Sequence, residues 1–239
     1  MASRKTKFAN GEYYHVYNRG TDKRDVFLDD ADYLRFLLCL REFNCIEPIG
    51  SLYEKSLRDK NANGGSTSTV EIEPQKALVE IVCYCLNSNH YHFILKQVAE
   101  NGISKFIQKV GTGYTMFFNK KNERSGSLFQ GRFKSIYIDS NEYLLYLSVY
   151  VNGNHFIHAY DKVLEVEPPI GGSTSEFSVD GWKYSSLPDY AEKRNGTLCN
   201  KSIILEQFSN AKDYLDFVGK HSLEMKKKKE FAKYLLEEK

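Results

Sequence analysis

Two apolar runs joined by a short polar connection constrain the fold of this chain more than any other feature. The first run, ALVEIVCYCL at residues 77–86, is rich in β-branched residues, and the second is HYHFILK at residues 90–96. Because only the polar stretch NSN separates them, the two runs predict a β-hairpin. Residues 77–96 are therefore expected to form two adjacent antiparallel strands.

A strand and a helix are predicted ahead of the hairpin. YYHVYNRG at residues 13–20 has the composition of a strand that ends in a turn at its glycine. The stretch that follows predicts a helix with Asp29 or Asp30 as its N-cap. Its apolar residues at helical spacing are Leu34, Leu37, Leu38 and Phe43.

After the hairpin, the pattern predicts a helix, a strand and a second helix. Residues 102–121 carry an apolar helical stripe, and residues 126–138 read as a loop that enters a strand. The helix at residues 139–159 opens with Asp139 and Glu142, an Asp-x-x-Glu capping pattern. The stripe of the first of these helices consists of Ile103, Phe106, Ile107, Val110, Tyr114 and Phe117.

The order strand, helix, hairpin, helix, strand, helix indicates an α+β fold. It is compatible with a ferredoxin-like antiparallel sheet covered by helices on one face. We expect a catalytic domain at residues 1–160, with a flexible insertion at residues 46–76 that contains NGGSTST. Residues 161–239 are expected to form a linker and a small helical C-terminal extension.

The composition and the N-terminal sequence indicate the compartment in which the protein is expected to work. No apolar run approaches the length of about 18 residues that a membrane span needs. The N-terminus lacks the apolar core of a signal peptide, and the five cysteines form no CxxC pair. We therefore expect reduced thiols, no membrane association and a cytoplasmic location.

The positive charge is concentrated in one segment. The net charge is only +2, yet residues 101–138 hold seven basic residues and one acidic residue, Glu123. This distribution favours a side that faces phosphate, although a solvated helix face would produce the same pattern. The basic residues are Lys105, Lys109, Lys120, Lys121, Arg124, Arg132 and Lys134.

Two of the six histidines stand one residue apart on the second predicted strand of the hairpin. Alternate side chains of a strand point to the same face, so His90 and His92 would project side by side. Two imidazoles are a weak metal signal by themselves, because a catalytic site needs about three protein ligands. A third ligand has to come from another element.

The last predicted helix of the core offers that ligand. Tyr150 and Asn154 are four residues apart and would share a helix face. An amide oxygen beside two imidazoles suits Mg²⁺ or Mn²⁺ with water in the remaining positions. The ordinary alternative is that Tyr150, one of seventeen tyrosines, is a packing residue. Gly153 is unfavourable inside a helix and is more easily accommodated where another element approaches the backbone.

The chain resembles the REP-associated tyrosine transposases, which are relatives of the small single-strand transposases with an HUH motif (histidine, hydrophobic residue, histidine). The resemblance covers most of residues 8–220. The segments that carry it are YYHVYNRG, CLNSNHYHFIL, ISKFIQKVGTGYTMFFNKK, GSLFQGRFKS, YLLYLSVYVNGNH and DGWKYSSLPDYAEKRNGTLCNKSIILEQF.

This resemblance implies an HUH endonuclease fold and a set of site residues. The HUH pair falls on His90 and His92, the nucleophilic tyrosine on Tyr150 and the amide ligand on Asn154. The implied reaction is cleavage and rejoining of single-stranded or hairpin DNA through a 5′-phosphotyrosine, with Mg²⁺ or Mn²⁺ as cofactor. Palindromic repeat hairpins are the implied partner, and the chain would act as a monomer or a homodimer.

Three features depart from the family pattern. Ser88 stands where such proteins commonly have proline before the Asn-His of the motif strand. After the tyrosine this chain reads VNGNH, with Gly153 and with His155 in place of a proline. The insertion at residues 46–76 is also long.

Two alternative functions and one alternative nucleophile remain open from the sequence. A domesticated transposase would bind hairpins without cleaving them, and a metal-dependent nuclease would use activated water at the histidines. Tyr114 is the rival tyrosine, and among its neighbouring lysines it is expected to contact DNA or to pack in the core. The predicted DNA-contacting residues are Lys105, Lys109, Tyr114, Lys120, Lys121, Arg124, Arg132 and Lys134.

Overall fold

A computed structural model describes residues 6–56, 76–157 and 182–227. Most of the predicted insertion and the boundary predicted near residue 160 lie outside these residues. The strands are β1 Tyr13–Arg19, β2 Val79–Asn87, β3 His90–Gln97 and β4 Lys134–Tyr137. The helices are α1 Asp30–Glu42, α2 Gly102–Lys121, α3 Asn141–Asn152, α4 Leu187–Tyr190, α5 Ser202–Leu205 and α6 Ala211–Lys227.

The four strands form one sheet in the order β2-β3-β1-β4. The predicted hairpin is confirmed, because a two-residue turn at Ser88 and Asn89 joins β2 to β3. Strand β1 runs antiparallel to β4, with Tyr14 opposite Tyr137. Strand β1 is also antiparallel to β3. The N–H of Gly11, before β1, donates to the carbonyl of Gln97 at the end of β3, and the N–H of Gly20, after β1, donates to the carbonyl of Asn89 just before β3. The predicted α+β, ferredoxin-like antiparallel sheet is therefore confirmed.

The chain divides into two compact units that share the hairpin. The first consists of residues 1–80, 88–90 and 95–137, and the second of residues 81–87, 91–94 and 138–239. The second unit thus combines the central parts of both hairpin strands with α3 and the C-terminal helices. None of the helices in the described ranges is long and apolar enough to cross a membrane.

In the first unit, α1 begins as predicted but buries a different face. The side chain of Asp29 caps the helix by accepting a hydrogen bond from the backbone N–H of Asp32. The predicted apolar face was wrong at Leu34, which is 60% exposed. The buried apolar residues are Tyr33, Phe36, Cys39, Leu40 and the following Phe43. Because α1 is apolar around much of its circumference, spacing alone placed the stripe about one residue out of register.

The stripe predicted for α2 is largely confirmed. Its buried apolar residues are Ile103, Phe106, Ile107, Val110, Tyr114 and Phe118, so Phe118 takes the last position in place of Phe117. Helices α1 and α2 pack closely where Gly113 faces Phe43. A Cβ on Gly113 would lie 2.5 Å from the Phe43 ring, so glycine permits this approach.

In the second unit, the segment after residue 181 covers the outer edge of β2. Leu86 and Ser186 donate backbone hydrogen bonds to the carbonyls of Tyr184 and Tyr84, and Asn200 donates to the carbonyl of Ile81. An exposed sheet edge is a template for unwanted pairing, and these contacts occupy it. The C-terminal segment is thus part of the structure that holds the hairpin.

A buried polar network connects this segment to α3. Asn152 accepts a hydrogen bond from Ser186 at 2.6 Å and donates one to the Tyr214 hydroxyl at 2.7 Å. Tyr214 in turn donates to Ser148, one turn earlier on α3. Burial raises the pKa of the nearby Cys83 thiol to about 12, so this group is a neutral packing residue. The network fixes the rotation of α3 within the unit.

Candidate functional site

The hairpin places both predicted histidine ligands on β3. His90 and His92 are separated by one residue of regular strand, so they share a face. Both are buried, with exposures of 4% and 0%. The ring Nδ1 of His90 is hydrogen-bonded to the side-chain oxygen of Asn89, which restricts the orientation of that imidazole.

Helix α3 positions the predicted nucleophile. It begins one residue later than the capping pattern suggested, because the side chain of Ser140 rather than Asp139 accepts the hydrogen bond from Tyr143. Tyr150 lies in the last turn and is 3% exposed. Its ring meets the His92 imidazole edge-on, with centroids 5.3 Å apart and planes at 82°. The structure therefore brings Tyr150 and His92 into direct contact.

The predicted amide ligand follows the end of α3. The helix ends at Asn152, Gly153 is its C-cap, and Asn154 is fully buried. A Cβ on Gly153 would lie 2.9 Å from the Val149 carbonyl oxygen and 3.6 Å from the Ser222 side chain of α6. The tight contact is with the preceding turn of the same helix, whereas α6 lies at ordinary van der Waals distance, so the approach of another element does not account for the glycine.

Asn154 is held by a residue that the sequence reasoning missed. The side-chain amide of Asn87, the last residue of β2, donates a 2.6 Å hydrogen bond to the carbonyl oxygen of Asn154. The amide nitrogen of Asn154 is buried and has no hydrogen-bond partner within the described ranges. No sequence signal points to Asn87, because it lies 67 positions from Asn154 and belongs to no recognisable spacing.

A second contact fixes the residue after Asn154. The ring of His155 stacks on Trp182, with centroids 4.1 Å apart and planes at 8°. The indole N–H of Trp182 donates to the backbone carbonyl of Leu86, the residue before Asn87. Two contacts therefore connect the end of β2 to the segment that carries Asn154. One is the hydrogen bond from Asn87 to Asn154, and the other is Trp182, which bonds to Leu86 and stacks on His155.

The donor set suits a divalent metal with oxygen and nitrogen ligands. Neutral imidazole and an amide carbonyl oxygen are acceptable ligands for Mg²⁺ or Mn²⁺, and the buried amide of Asn154 has unused hydrogen-bonding capacity. Within the described ranges, no three or more His, Cys, Asp or Glu side chains are grouped so that they could hold a metal ion. A closed zinc site is therefore not formed there, whereas two histidines and an asparagine are compatible with the expected set.

Tyr114 lies in a different environment from Tyr150. It is 0% exposed, its hydroxyl donates to the backbone carbonyl of Val26, and Phe36 meets its ring edge-on at 4.9 Å. Burial, followed by the nearby carboxylate of Asp32, raises the pKa of the Tyr114 hydroxyl. Of the two roles that the sequence allowed for it, the core role fits, and its ring is not available to stack on a DNA base.

The predicted basic residues fall into two groups. Three of them have partners within the protein: Lys109 donates to the Cys45 carbonyl, Lys121 pairs with Asp29 and Asp32, and Arg124 donates to Asn119 and Ser127. The other four are exposed, namely Lys105, Lys120, Arg132 and Lys134, and Arg132 among them also has a partner within the protein. The exposed group is the better candidate for phosphate contact.

Comparison with known proteins supports the resemblance seen in the sequence. Residues 55–154 match the sequence model of the family described as Transposase IS200 like. The matched region contains the hairpin, α2 and α3, so the resemblance to the IS200-like transposases is confirmed over this part of the chain. A search of curated proteins finds no match.

One solved structure that resembles the chain is described as a REP-associated tyrosine transposase bound to a REP hairpin. It has 14% sequence identity and a TM-score of 0.45, and the match covers 77% of this chain and 98% of that chain.

Proposed function

We propose that this protein cleaves and rejoins single-stranded or hairpin DNA through a covalent bond to Tyr150. His90, His92 and Asn154 would hold the divalent metal, Mg²⁺ or Mn²⁺. The observation that carries the proposal is the contact between Tyr150 and His92, with Asn154 buried four residues further along the same segment. This arrangement lies within the region that matches the IS200-like family.

The proposed reaction replaces one phosphodiester bond by another. The Tyr150 oxygen loses its proton and bonds to the phosphorus of the scissile phosphate, while the bond to the 3′ oxygen breaks. The released 3′ oxygen takes up a proton and becomes a free hydroxyl. Because the phosphotyrosine keeps the phosphate in an ester linkage, attack by a 3′-hydroxyl reverses the step and joins strands.

The metal is needed because a tyrosine hydroxyl, with a pKa of about 10, is a weak nucleophile at neutral pH. When bound, the metal would polarise the scissile phosphate and neutralise the charge that develops on it. The protein contributes orientation: β3 fixes the imidazoles, α3 fixes the tyrosine, and the contacts of Asn87 and Trp182 fix the segment that carries Asn154.

The substrate is proposed to follow the exposed basic residues Lys105, Lys120, Arg132 and Lys134. Contacts with phosphates release counterions, so binding should weaken steeply as salt increases. The structure supports a smaller contact set than the sequence predicted, because Tyr114 is in the core and three of the basic residues have protein partners.

A second candidate function is favoured by the burial of the site. Tyr150 is 3% exposed and its hydroxyl is buried, so cleavage requires the surroundings of Tyr150 to open when DNA binds. A hairpin-binding protein that no longer cleaves needs no such opening. The presence or absence of a covalent product therefore separates the two functions.

The test is a denaturing gel with labelled hairpin DNA, Mg²⁺ or Mn²⁺, and a chelator control. The proposal predicts a metal-dependent protein–DNA adduct that is absent in the Tyr150→Phe variant. Cleavage without an adduct would indicate a nuclease that uses activated water. Binding without cleavage on every hairpin would establish the second candidate instead.

A further inference from the structure

We propose that Asn87 is a positioning residue that orients the Asn154 amide for metal coordination, an inference that rests on the function proposed above. Its role would be exerted through Asn154, to which its side-chain amide donates a hydrogen bond. The evidence is the buried amide-to-amide hydrogen bond and the way in which its two partners are anchored.

The side-chain amides of Asn87 and Asn154 can form their hydrogen bond in two arrangements that have the same heavy-atom positions. In the first, the Asn87 nitrogen donates to the Asn154 oxygen, and the Asn154 nitrogen is left buried with no hydrogen-bond partner within the described ranges. If both amides rotate by half a turn, the Asn154 nitrogen donates to the Asn87 oxygen. The Asn154 carbonyl oxygen then occupies the position that lacks a partner, which is the position from which it can coordinate a cation.

A buried donor without a partner is costly, and the second arrangement removes that cost when a cation is present. A metal ion would therefore stabilise the rotated pair, while Asn87 keeps the Asn154 amide in place in both states. Asparagine suits position 87 because its amide can either donate or accept.

The surroundings hold both partners of this pair. Asn87 is the last residue of β2, and Leu86 beside it accepts a hydrogen bond from Trp182, on which His155 stacks. The stack of His155 on Trp182 therefore restrains the residue that follows Asn154.

The test compares two substitutions of Asn87 in the full-length chain, with the free Mn²⁺ signal in electron paramagnetic resonance as the binding readout. Asn87→Ala removes the partner of the Asn154 amide and is expected to weaken Mn²⁺ binding by about 10- to 100-fold. Asn87→Asp supplies an oxygen that can only accept. It should favour the rotated arrangement and keep Mn²⁺ affinity at or above that of the unchanged chain.

A purely structural role makes the opposite prediction for the second variant. Asn87→Asp would then leave an unsupported carboxylate in a buried site and behave no better than Asn87→Ala. Tyr190→Phe is the matched control, since it removes a buried hydrogen bond to the Val82 carbonyl in the same unit without touching Asn154 or its hydrogen bond from Asn87. It should lower stability and leave Mn²⁺ affinity unchanged.

The outcomes separate this inference from the proposed function. Adduct formation with Mn²⁺ binding that is insensitive to both Asn87 substitutions would overturn the inference alone. An Asn87→Asp variant that loses Mn²⁺ as severely as Asn87→Ala would also overturn it. Mn²⁺ binding that follows the predicted order, in a chain that forms no adduct, would support the inference and overturn the proposed cleavage.

Discussion

Tyr114 and Tyr150 are both buried helical tyrosines, yet their surroundings differ. Tyr114, in the first unit, is enclosed by aromatic rings, and its hydroxyl is committed to the Val26 carbonyl. Tyr150, in the second unit, rests against an imidazole, and a buried asparagine follows four residues later. The difference is one of chemistry, since the exposures of the two side chains are nearly the same.

This comparison shows that burial alone does not identify a packing tyrosine. What separates the two is whether the neighbouring groups can bind metal and phosphate or can only pack. A carbonyl and aromatic rings hold Tyr114 in place, whereas Tyr150 packs against an imidazole, a side chain that can bind a metal ion.

The largest expected effect is on covalent chemistry. Tyr150→Phe should abolish the protein–DNA adduct because the phenyl ring has no oxygen to attack phosphorus, and Tyr114→Phe should retain it. Adduct yield on one hairpin, measured for both variants side by side, checks this. Loss of the adduct in Tyr114→Phe with retention in Tyr150→Phe would reverse the assignment of the nucleophile.

Stability should show the importance of Tyr114. Tyr114→Phe removes the donor to the Val26 carbonyl and leaves a buried acceptor, which is expected to lower the free energy of unfolding by about 1–3 kcal/mol. Urea denaturation monitored by circular dichroism measures the change. A variant as stable as the unchanged chain would mean that this hydrogen bond contributes little to the first unit.

The free energy of unfolding should fall at acidic pH partly because of His15 in the first unit. Burial lowers the pKa of His15 to about 3, against about 6.5 in the unfolded chain, so only the unfolded state takes up this proton between those values. The contribution of His15 is therefore complete above pH 6.5 and is lost by up to about 1.4 kcal/mol per pH unit as the pH falls. His15→Leu should flatten this part of the stability profile, measured by denaturant unfolding at successive pH values. An unchanged slope would contradict the assignment.

The smallest expected effect is on the salt dependence of hairpin binding when a single basic residue is replaced. Lys134→Gln removes an exposed charge and should reduce the slope of hairpin affinity against salt by about 0.7–0.9. Lys109→Gln is the matched comparison, because the Lys109 ammonium donates to the Cys45 carbonyl and should affect folding more than binding. If hairpin affinity falls with salt equally steeply for Lys134→Gln and the unchanged chain, Lys134 does not contact DNA phosphate.

Much of the fold could be predicted because it depends on local patterns. The hairpin at β2 and β3 follows from two apolar runs around a short turn, and the buried face of α2 follows from helical spacing. The face of α1 could not be fixed in this way, since Leu34 and Phe36 are equally apolar and only the packing against α2 decides between them. The edge contacts of the C-terminal segment involve backbone groups, which leave no pattern in the side chains.

The residues of the proposed site follow from the sequence, whereas the contacts that hold them in place do not. Strand alternation and helix spacing bring out His90, His92, Tyr150 and Asn154, and the family resemblance gives the same set. The hydrogen bond from Asn87 and the stacking of Trp182 on His155 join residues distant in the chain, so no spacing rule reveals them. The burial of Tyr150 is likewise a consequence of tertiary packing.

The most direct test of the central claim is to identify the residue that becomes joined to DNA. The protein would be incubated with a hairpin and Mn²⁺, digested, and the nucleotide-bearing peptide sequenced by mass spectrometry. We expect a phosphotyrosine at Tyr150. A nucleotide attached to Tyr114 or to any other residue, or hairpin cleavage with no modified peptide, would contradict it.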